Sequence, residues 1–180
     1  MRDPLFRMAL LLGLLSAVGP FAIDMYLPAL PQVASDLGTT EAGAALTLTS
    51  YFIVFGFAQM IYGPMADAVG RKKPLVIGVA IFLAATVAAS LAPTIGWLIA
   101  ARAVQGLGAA TLMAVPRAVI RDMATGPAAA KMMAAIMIVI SVSPMLAPLT
   151  GSAVMAWGSW REIFAVLAAA ALLSLALILF

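Results

Sequence analysis

Long apolar runs fill almost the whole chain, and short polar turns separate them. A helix that crosses the hydrocarbon core of a bilayer, about 30 Å thick, needs about 20 apolar residues. The connections are rich in Pro, Gly, Asp and Thr, and all are too short to form a soluble domain. The pattern therefore predicts an all-α membrane protein with a single transmembrane domain. Its six predicted spans are residues 6–27, 44–66, 75–93, 97–119, 132–156 and 162–180.

Composition supports lipid as the solvent for most side chains. Of 180 residues, 65% are hydrophobic and 9% are charged, whereas soluble domains carry about 25% charged residues. A cleaved signal peptide has an apolar core of about 7–15 residues. The first run here continues to Tyr26, so we interpret it as an uncleaved membrane helix, with cleavage near Ser16 as the alternative.

Several classes of chemistry are excluded by missing residue types. The chain has no Cys and no His, so disulfides, thiol chemistry and the usual zinc sites are ruled out. We expect neither a metal nor a cofactor, and the absence of a soluble catalytic constellation argues against an enzyme. A proton-coupled step would have to use Asp, Glu, Arg or Tyr.

The basic residues are distributed unequally between the two sides of the membrane. Arg161 is the one basic residue on the side that carries acidic Asp36 and Glu41. The positive-inside rule therefore places the N-terminus and the C-terminus in the cytoplasm. Because the basic residues lie in short turns, we expect anionic membrane lipid as their partner rather than nucleic acid. On the basic side are Arg2, Arg7, Arg71, Lys72, Lys73, Arg117, Arg121 and Lys131.

Asp24 and Arg102 are charged residues inside the predicted spans. A carboxylate near the membrane centre costs at least ~2.5 kcal/mol. Asp24 is near the end of span 1. It is therefore either an interfacial residue close to water or a site that binds a cation or a proton. Arg102 lies about 8 Å deep in span 4 at 1.5 Å per residue, where a lone guanidinium snorkels or finds an acceptor. Asp24 and Gln105 are both candidate acceptors.

The turn after span 2 combines two glycines with opposite charges. Gly63 would let another helix approach closely, and Gly70 would permit a tight turn. Asp67 can pair with Arg71 or accept from a helix N-terminus, and Asp122 at the end of span 4 can join them. A simple basic turn would not require Asp67 or the glycines.

Span 5 carries two prolines four residues apart. Pro144 and Pro148 each remove a helical hydrogen bond, and small residues such as Gly151 allow close packing. The segment is either an ordinary kinked helix or a hinge at the seam between two helical bundles.

Together these motifs resemble the N-terminal half of a Major Facilitator Superfamily transporter, and most closely the Bcr/CflA-type drug:proton antiporters. Residues 63–73 resemble motif A, of the form G-x-x-x-D-x-x-G-R-[RK]-[RK], and residues 102–108 resemble motif B, R-x-x-Q-G-x-G. Residues 24–31 resemble the Asp- and Pro-containing element that ends helix 1. Residues 147–152 resemble the helix 5 signature G-P-x-x-G-G, with Ala147 and Ser152 in place of two glycines.

The resemblance implies a half bundle built as a 3+3 inverted repeat in the bacterial inner membrane. It implies that Asp24, with Tyr26 beside it, binds protons and substrate cations and that Arg102 and Gln105 tune this site. Asp67, Arg71 and Asp122 would form a cytoplasmic gate. Such families export small amphipathic drugs, including chloramphenicol-like and bicyclic antibiotics, against inward proton flow.

Complete members of that superfamily have two six-helix halves with parallel topology. The chain ends at Leu177–Phe180 without a polar tail, which we interpret as a truncation, with a naturally short gene as the alternative. A parallel homodimer would rebuild a twelve-helix body; otherwise a C-terminal half is missing. Three hypotheses follow: a homodimeric drug:proton antiporter, a transport-inactive structural half, or an uncoupled small-solute facilitator.

Overall fold

The computed structural model describes residues 4–179. Residues 1–3, which include Arg2, and residue 180, which ends the predicted sixth span, lie outside this range. Over the described range the chain forms helices and turns without a strand. The helices are α1 (Pro4–Asp24), α2 (Leu30–Asp36), α3 (Glu41–Val69), α4 (Lys72–Ser90), α5 (Ile95–Met123), α6 (Gly126–Trp157) and α7 (Trp160–Leu179).

Six helical segments within the described residues are long and apolar enough to cross a membrane, with α1 and α2 together forming the first. The prediction of six membrane helices is therefore confirmed. We name the two ends of the bundle after Arg71, in the α3–α4 turn, and Trp160, the first residue of α7. The Arg71 end is the one predicted to be cytoplasmic.

The first span differs from its prediction because the chain stays helical beyond residue 27. A short 3₁₀ turn, Leu27–Ala29, leads directly into α2. Pro28 lies at the start of the 3₁₀ turn, and Pro31 lies in the first turn of α2. At these positions the missing N–H of proline breaks no helical hydrogen bond. In the same way Pro127 lies in the first turn of α6, which begins at Gly126 rather than at residue 132.

Local capping fixes several helix ends. The side chain of Thr40 accepts from the backbone N–H of Gly43 at 3.1 Å and begins α3. Thr94 accepts from Trp97 N–H at 3.3 Å and begins α5. Each cap satisfies one of the N–H groups that a helix start leaves free. Gly70 ends α3 with a φ of 84°, a conformation that L side chains rarely adopt.

The packing pairs helices of the first half with helices of the second. α3 lies against α5, and α1 lies against α6. Counted as membrane helices, these are the pairs 2 with 4 and 1 with 5. The two pairs are equivalent when the first three membrane helices are exchanged with the last three. α4 lies against α7, and α5 is packed between α3 and α4. This pairing is the one that a 3+3 inverted repeat requires. The core is therefore centred on α5.

The outer faces of α3 and α6 carry large exposed apolar side chains. Phe57 and Met60 on α3 are 69% and 75% exposed, and Met145 on α6 is 71% exposed. In water such a surface would promote aggregation, whereas lipid or a second membrane body can cover it. Both helices are thus available for further contacts in the membrane.

Candidate functional site

Arg102 is completely buried in the half of the bundle near the Trp160 end. Its Nη1 donates to the backbone carbonyl of Ala22 on α1 at 3.1 Å and to Oε1 of Gln105, one turn along α5, at 2.5 Å. The alternative in which the guanidinium snorkels to the surface is therefore not observed. A buried guanidinium needs compensation for the water it has lost.

The carbonyl of Ala22 is one of the groups that the end of α1 leaves without a helical partner. Met25 N–H donates to Phe21, and Tyr26 N–H turns aside to Ile23 at 3.2 Å, so the donor expected for Ala22 is displaced. Arg102 supplies a donor in its place. The C-terminal end of a helix also carries the negative end of its dipole, so α1 offers partial negative charge to the guanidinium.

Three aromatic rings enclose the rest of the guanidinium. Its Cζ lies 4.8 Å from the ring centroid of Tyr26, 4.6 Å from that of Tyr51 and 5.9 Å from that of Phe164. These rings, which we call the aromatic cage, come from the α1–α2 connection, α3 and α7. Nε and Nη2 of Arg102 have no conventional hydrogen-bond partner among the described residues, and the negative ring faces take that role.

The two cage tyrosines are themselves fixed by hydrogen bonds. The hydroxyl of Tyr51 donates to the carbonyl of Gly19 on α1 at 3.1 Å. The hydroxyl of Tyr26 is hydrogen-bonded to Oγ1 of Thr47 on α3, also at 3.1 Å. Burial of an unpartnered phenol is costly, and these contacts remove that cost. The cage is therefore a rigid structure rather than a loose apolar pocket.

Asp24 is the last residue of α1 and is half-buried, two residues beyond the carbonyl that Arg102 binds. Of the two predicted acceptors for Arg102, the structure selects Gln105. Within residues 4–179 no ion pair joins Asp24 to Arg102. The guanidinium is thus bound to the same end of α1 that carries Asp24, but to a backbone carbonyl and not to the carboxylate.

A second charged site lies at the Arg71 end. Nη1 of Arg71 is 2.6 Å from Asp67 Oδ1, and Nε and Nη2 donate to the two carboxylate oxygens of Asp122 at 2.7 and 3.3 Å. The bond to Asp122 and then the pairing with Asp67 raise the pKa of Arg71 above its ordinary value. This Arg71 cluster connects the end of α3, the start of α4 and the end of α5.

The two remaining predicted motifs have different surroundings. A β-carbon on Gly63 would meet no atom within 4 Å among the described residues, so the close helix approach expected there is not made within this chain. Pro144 and Pro148 lie inside α6, which runs without interruption from Gly126 to Trp157. Gly151 lies against the backbone of Met25. The hinge role of the prolines remains a prediction.

The sequence did not indicate a hydrogen-bonded cluster at the Trp160 end. Trp160 donates from Nε1 to Asp36 at 3.0 Å and from its backbone N–H to Gln32 at 2.9 Å. Arg161 donates to the carbonyls of Ser90 and Ala92 at 2.9 and 3.0 Å. These bonds join the end of α2, the start of α7 and the end of α4.

Sequence reasoning also missed Tyr51, Thr86 and Phe164, which surround Arg102 and Gln105. A signal was available for two of them. A hydroxyl-bearing residue inside an apolar helix needs a partner, and Tyr51 and Thr86 both occur in the middle of predicted spans. Phe164 has no such signal, because a phenylalanine in a membrane helix usually faces lipid or core.

Comparison with known proteins places this geometry in a family. The model of the Major Facilitator Superfamily matches residues 12–180. The chain is 40% identical over 162 residues to the uncharacterized MFS-type transporter YdgK of Bacillus subtilis, covering 89% of this chain and 40% of that protein. It is 33% identical over 175 residues to a bicyclomycin resistance protein homolog of Haemophilus influenzae, covering 97% and 44%.

A third relative is multidrug resistance protein D of Escherichia coli K12, 34% identical over 158 residues, with 88% of this chain and 40% of that protein covered. The chain spans about two fifths of the length of these curated relatives.

Solved structures agree on the fold. A structure of the proton:xylose symporter XylE has a TM-score of 0.84 at 17% identity, covering 97% of this chain and 44% of that one. A structure of the peptide transporter POT has a TM-score of 0.82 at 20% identity, covering 95% and 37%. With six membrane helices and bacterial multidrug resistance relatives, the protein is a multi-pass protein of the inner membrane. The chain belongs to the Major Facilitator Superfamily of transporters.

Proposed function

We propose that this chain forms one six-helix half of a proton-coupled exporter of amphipathic drugs that works by alternating access. The names of the relatives support drug efflux at the level of the family, since they include bicyclomycin, chloramphenicol and multidrug resistance proteins. The sequence motifs around Asp24 and Arg102 support the coupling to protons.

The observation that carries the proposal is the burial of Arg102 against the end of α1, two residues from Asp24, with no ion pair between the two among residues 4–179. Among the described residues Arg102 is fully buried without a carboxylate partner, which is costly to the fold. Charged groups inside membrane segments usually mark a transport pathway. An ionised Asp24 would be repelled by the C-terminal carbonyls of α1, and its half-buried position would cost part of its hydration. Binding of a proton or of a cationic drug to Asp24 would neutralise the carboxylate and so change its interaction with these surroundings.

Alternating access requires a second six-helix body against which this half can move. The exposed apolar faces of α3 and α6 are the surfaces that we assign to it. In the part of the chain that the structure describes, no atom lies within 4 Å of a β-carbon position on Gly56 or Gly63 of α3, which leaves room for a second helix. The second body is a second copy of this chain in a parallel homodimer or a C-terminal half of the same transporter. The Arg71 cluster would open and close with that movement.

Stoichiometry tests the homodimer directly. The purified chain in lipid nanodiscs would be measured by native mass spectrometry, with Phe57→Glu as a variant that places a charge on the exposed face of α3. We expect a dimer for the wild type and a monomer for the variant. A wild-type monomer would contradict the homodimer and leave the C-terminal half as the second body.

Flux measurements test the coupling. Purified protein in liposomes would be loaded with a fluorescent amphipathic cation such as ethidium, under an imposed proton gradient. We expect flux that the gradient drives and that Asp24→Asn abolishes, with Glu41→Gln, at an exposed carboxylate outside the site, as the control. Flux that ignores both the gradient and Asp24→Asn would favour an uncoupled facilitator. A dimer without flux would favour a transport-inactive structural half.

A further inference from the structure

Gln105 is held from two sides by hydrogen bonds that run in one direction. Its Oε1 accepts from Arg102, and its Nε2 donates to Oγ1 of Thr86 on α4 at 2.7 Å. The hydroxyl of Thr86 donates its single proton to the carbonyl of Phe82, one turn back in α4, at 2.6 Å. The oxygen of Thr86 can therefore act only as an acceptor toward Gln105.

This directionality determines which end of the amide faces the guanidinium. If Nε2 must point to Thr86, then Oε1 must point to Arg102. Without an acceptor at residue 86, the contact with Arg102 alone would oppose a 180° rotation that turns the N–H groups of the amide toward the guanidinium, which also has only donors. Thr86, Arg102 and Gln105 are all completely buried, so water does not substitute readily for the lost contact.

The short side chain of Thr86 reaches Gln105 because α4 and α5 are in backbone contact one turn away. A β-carbon on Gly108 would lie 2.6 Å from the carbonyl oxygen of Gly78 and 2.8 Å from the Cα of Phe82. Such distances are far below normal van der Waals contact, so only glycine permits this approach. The position of Thr86 relative to Gln105 is therefore fixed by the backbone and not by a flexible side chain.

We propose that Thr86 is a positioning residue for Arg102 and acts through Gln105. Its hydroxyl sets the orientation of the Gln105 amide, and the amide holds Nη1 of Arg102 between α5 and the end of α1. Nε and Nη2 are then directed into the aromatic cage. The importance of this arrangement for proton coupling rests on the proposed function, whereas the arrangement itself does not.

Arginine side-chain NMR on the chain in nanodiscs tests the proposal. The sequence has seven arginines, and the Nε–H signal of Arg102 is assigned as the one that disappears in Arg102→Lys. Ring currents of the cage displace this signal from the positions of exposed arginines. We expect Thr86→Val, which keeps the shape and removes the acceptor, to shift the signal, and Thr86→Ser, which keeps the hydroxyl, to restore it.

The Nε–H signal of Arg161 serves as the internal control, because Arg161 binds carbonyls at the end of α4, one turn beyond Thr86, and therefore reports a disturbance of that helix. An unchanged Arg102 signal in Thr86→Val, or an equal shift in Thr86→Val and Thr86→Ser, would overturn the proposal.

A measurement on the wild type decides the question if Thr86→Val disturbs the fold and moves the Arg161 signal too. The chain has three glutamines, and the proposal requires the side-chain NH₂ of Gln105 to be protected from hydrogen exchange. Exchange as fast as that of Gln32, which is only half-buried, would overturn it. Neither measurement uses transport, so failure of the exporter assays would leave this result standing.

Discussion

Gly151 of α6 lies directly against the carbonyl group of Met25, the residue that follows the end of α1. A β-carbon at position 151 would overlap with the carbonyl oxygen and would lie 3.2 Å from the Cα of Met25. This contact holds α6 beside the segment that contains Asp24 and Tyr26. The helix 5 motif thus needs a small residue at this position because a side chain would collide with the backbone at the end of α1.

We predict that Gly151→Ala lowers the free energy of unfolding by about 1–3 kcal/mol, because the added methyl group forces two buried backbones apart. Gly96→Ala in the first turn of α5 is the matched control, since a β-carbon there would meet no atom of the described residues within 4 Å. Alanine is intrinsically the better helix former by up to about 1 kcal/mol, so the control should be neutral or stabilising. Unfolding in mixed micelles titrated with SDS measures both, and equal effects would contradict the contact.

Trp160 gives a second stability prediction, at the other side of the same end of the bundle. Trp160→Phe keeps most of the buried ring and removes the bond from Nε1 to Asp36, for which we expect a loss of about 1 kcal/mol. Trp157→Phe is the control, because Trp157 is 94% exposed. The same SDS titration applies, and a loss as large in Trp157→Phe would show that the indole bond contributes nothing.

The helices could be predicted from the sequence because lipid requires about 20 apolar residues for each span, whatever the helices pack against. The acceptor for Arg102 was predictable in part, since Gln105 lies three residues along the same helix face. The Ala22 carbonyl was not predictable, because it becomes free only through the local departure of Tyr26 N–H to Ile23.

The aromatic cage and α2 were missed for different physical reasons. Tyr51 and Phe164 meet at Arg102 only through packing of α3 and α7, and no local pattern encodes that contact. The predicted first span ended at residue 27, which left Pro28 and Pro31 in a connection. In fact a proline in the first turn of a helix costs little, so two prolines three residues apart are compatible with two consecutive helical elements.

The Arg71 cluster predicts a local opening rather than a loss of overall stability. Arg71→Ala removes the guanidinium that joins Asp67 to Asp122, and the exposed turn then separates from the end of α5. Because the chain has no Cys, spin labels can be introduced at Val69 and Met123, both exposed. Pulsed electron resonance should show a longer and broader distance in the variant.

The matched control for this measurement is Lys72→Ala, which removes a neighbouring positive charge but leaves the Arg71 pairs intact. We expect its distance distribution to resemble that of the wild type. A broadening as large in Lys72→Ala as in Arg71→Ala would mean that net charge at the turn, and not the specific ion pairs, keeps the two segments together.

The last prediction concerns what stabilises the buried charge of Arg102. Tyr51 is the cage ring closest to the guanidinium, at 4.6 Å, and a desolvated cation over an aromatic face is worth about 0.5–2 kcal/mol. A double-mutant cycle of Tyr51→Leu with Arg102→Met should therefore give a coupling energy in that range. Tyr51→Phe keeps the ring and removes the bond to Gly19, so its own cycle with Arg102→Met should give a coupling near zero. Unfolding free energies of the wild type and the five variants supply both cycles.

Equal coupling energies in the two cycles would assign the effect to the hydroxyl of Tyr51. Coupling confined to Tyr51→Leu would mean that the ring face takes part of the role that an acidic residue usually has beside a buried arginine. Asp24 would then be free to bind a proton or a substrate cation without first breaking an ion pair.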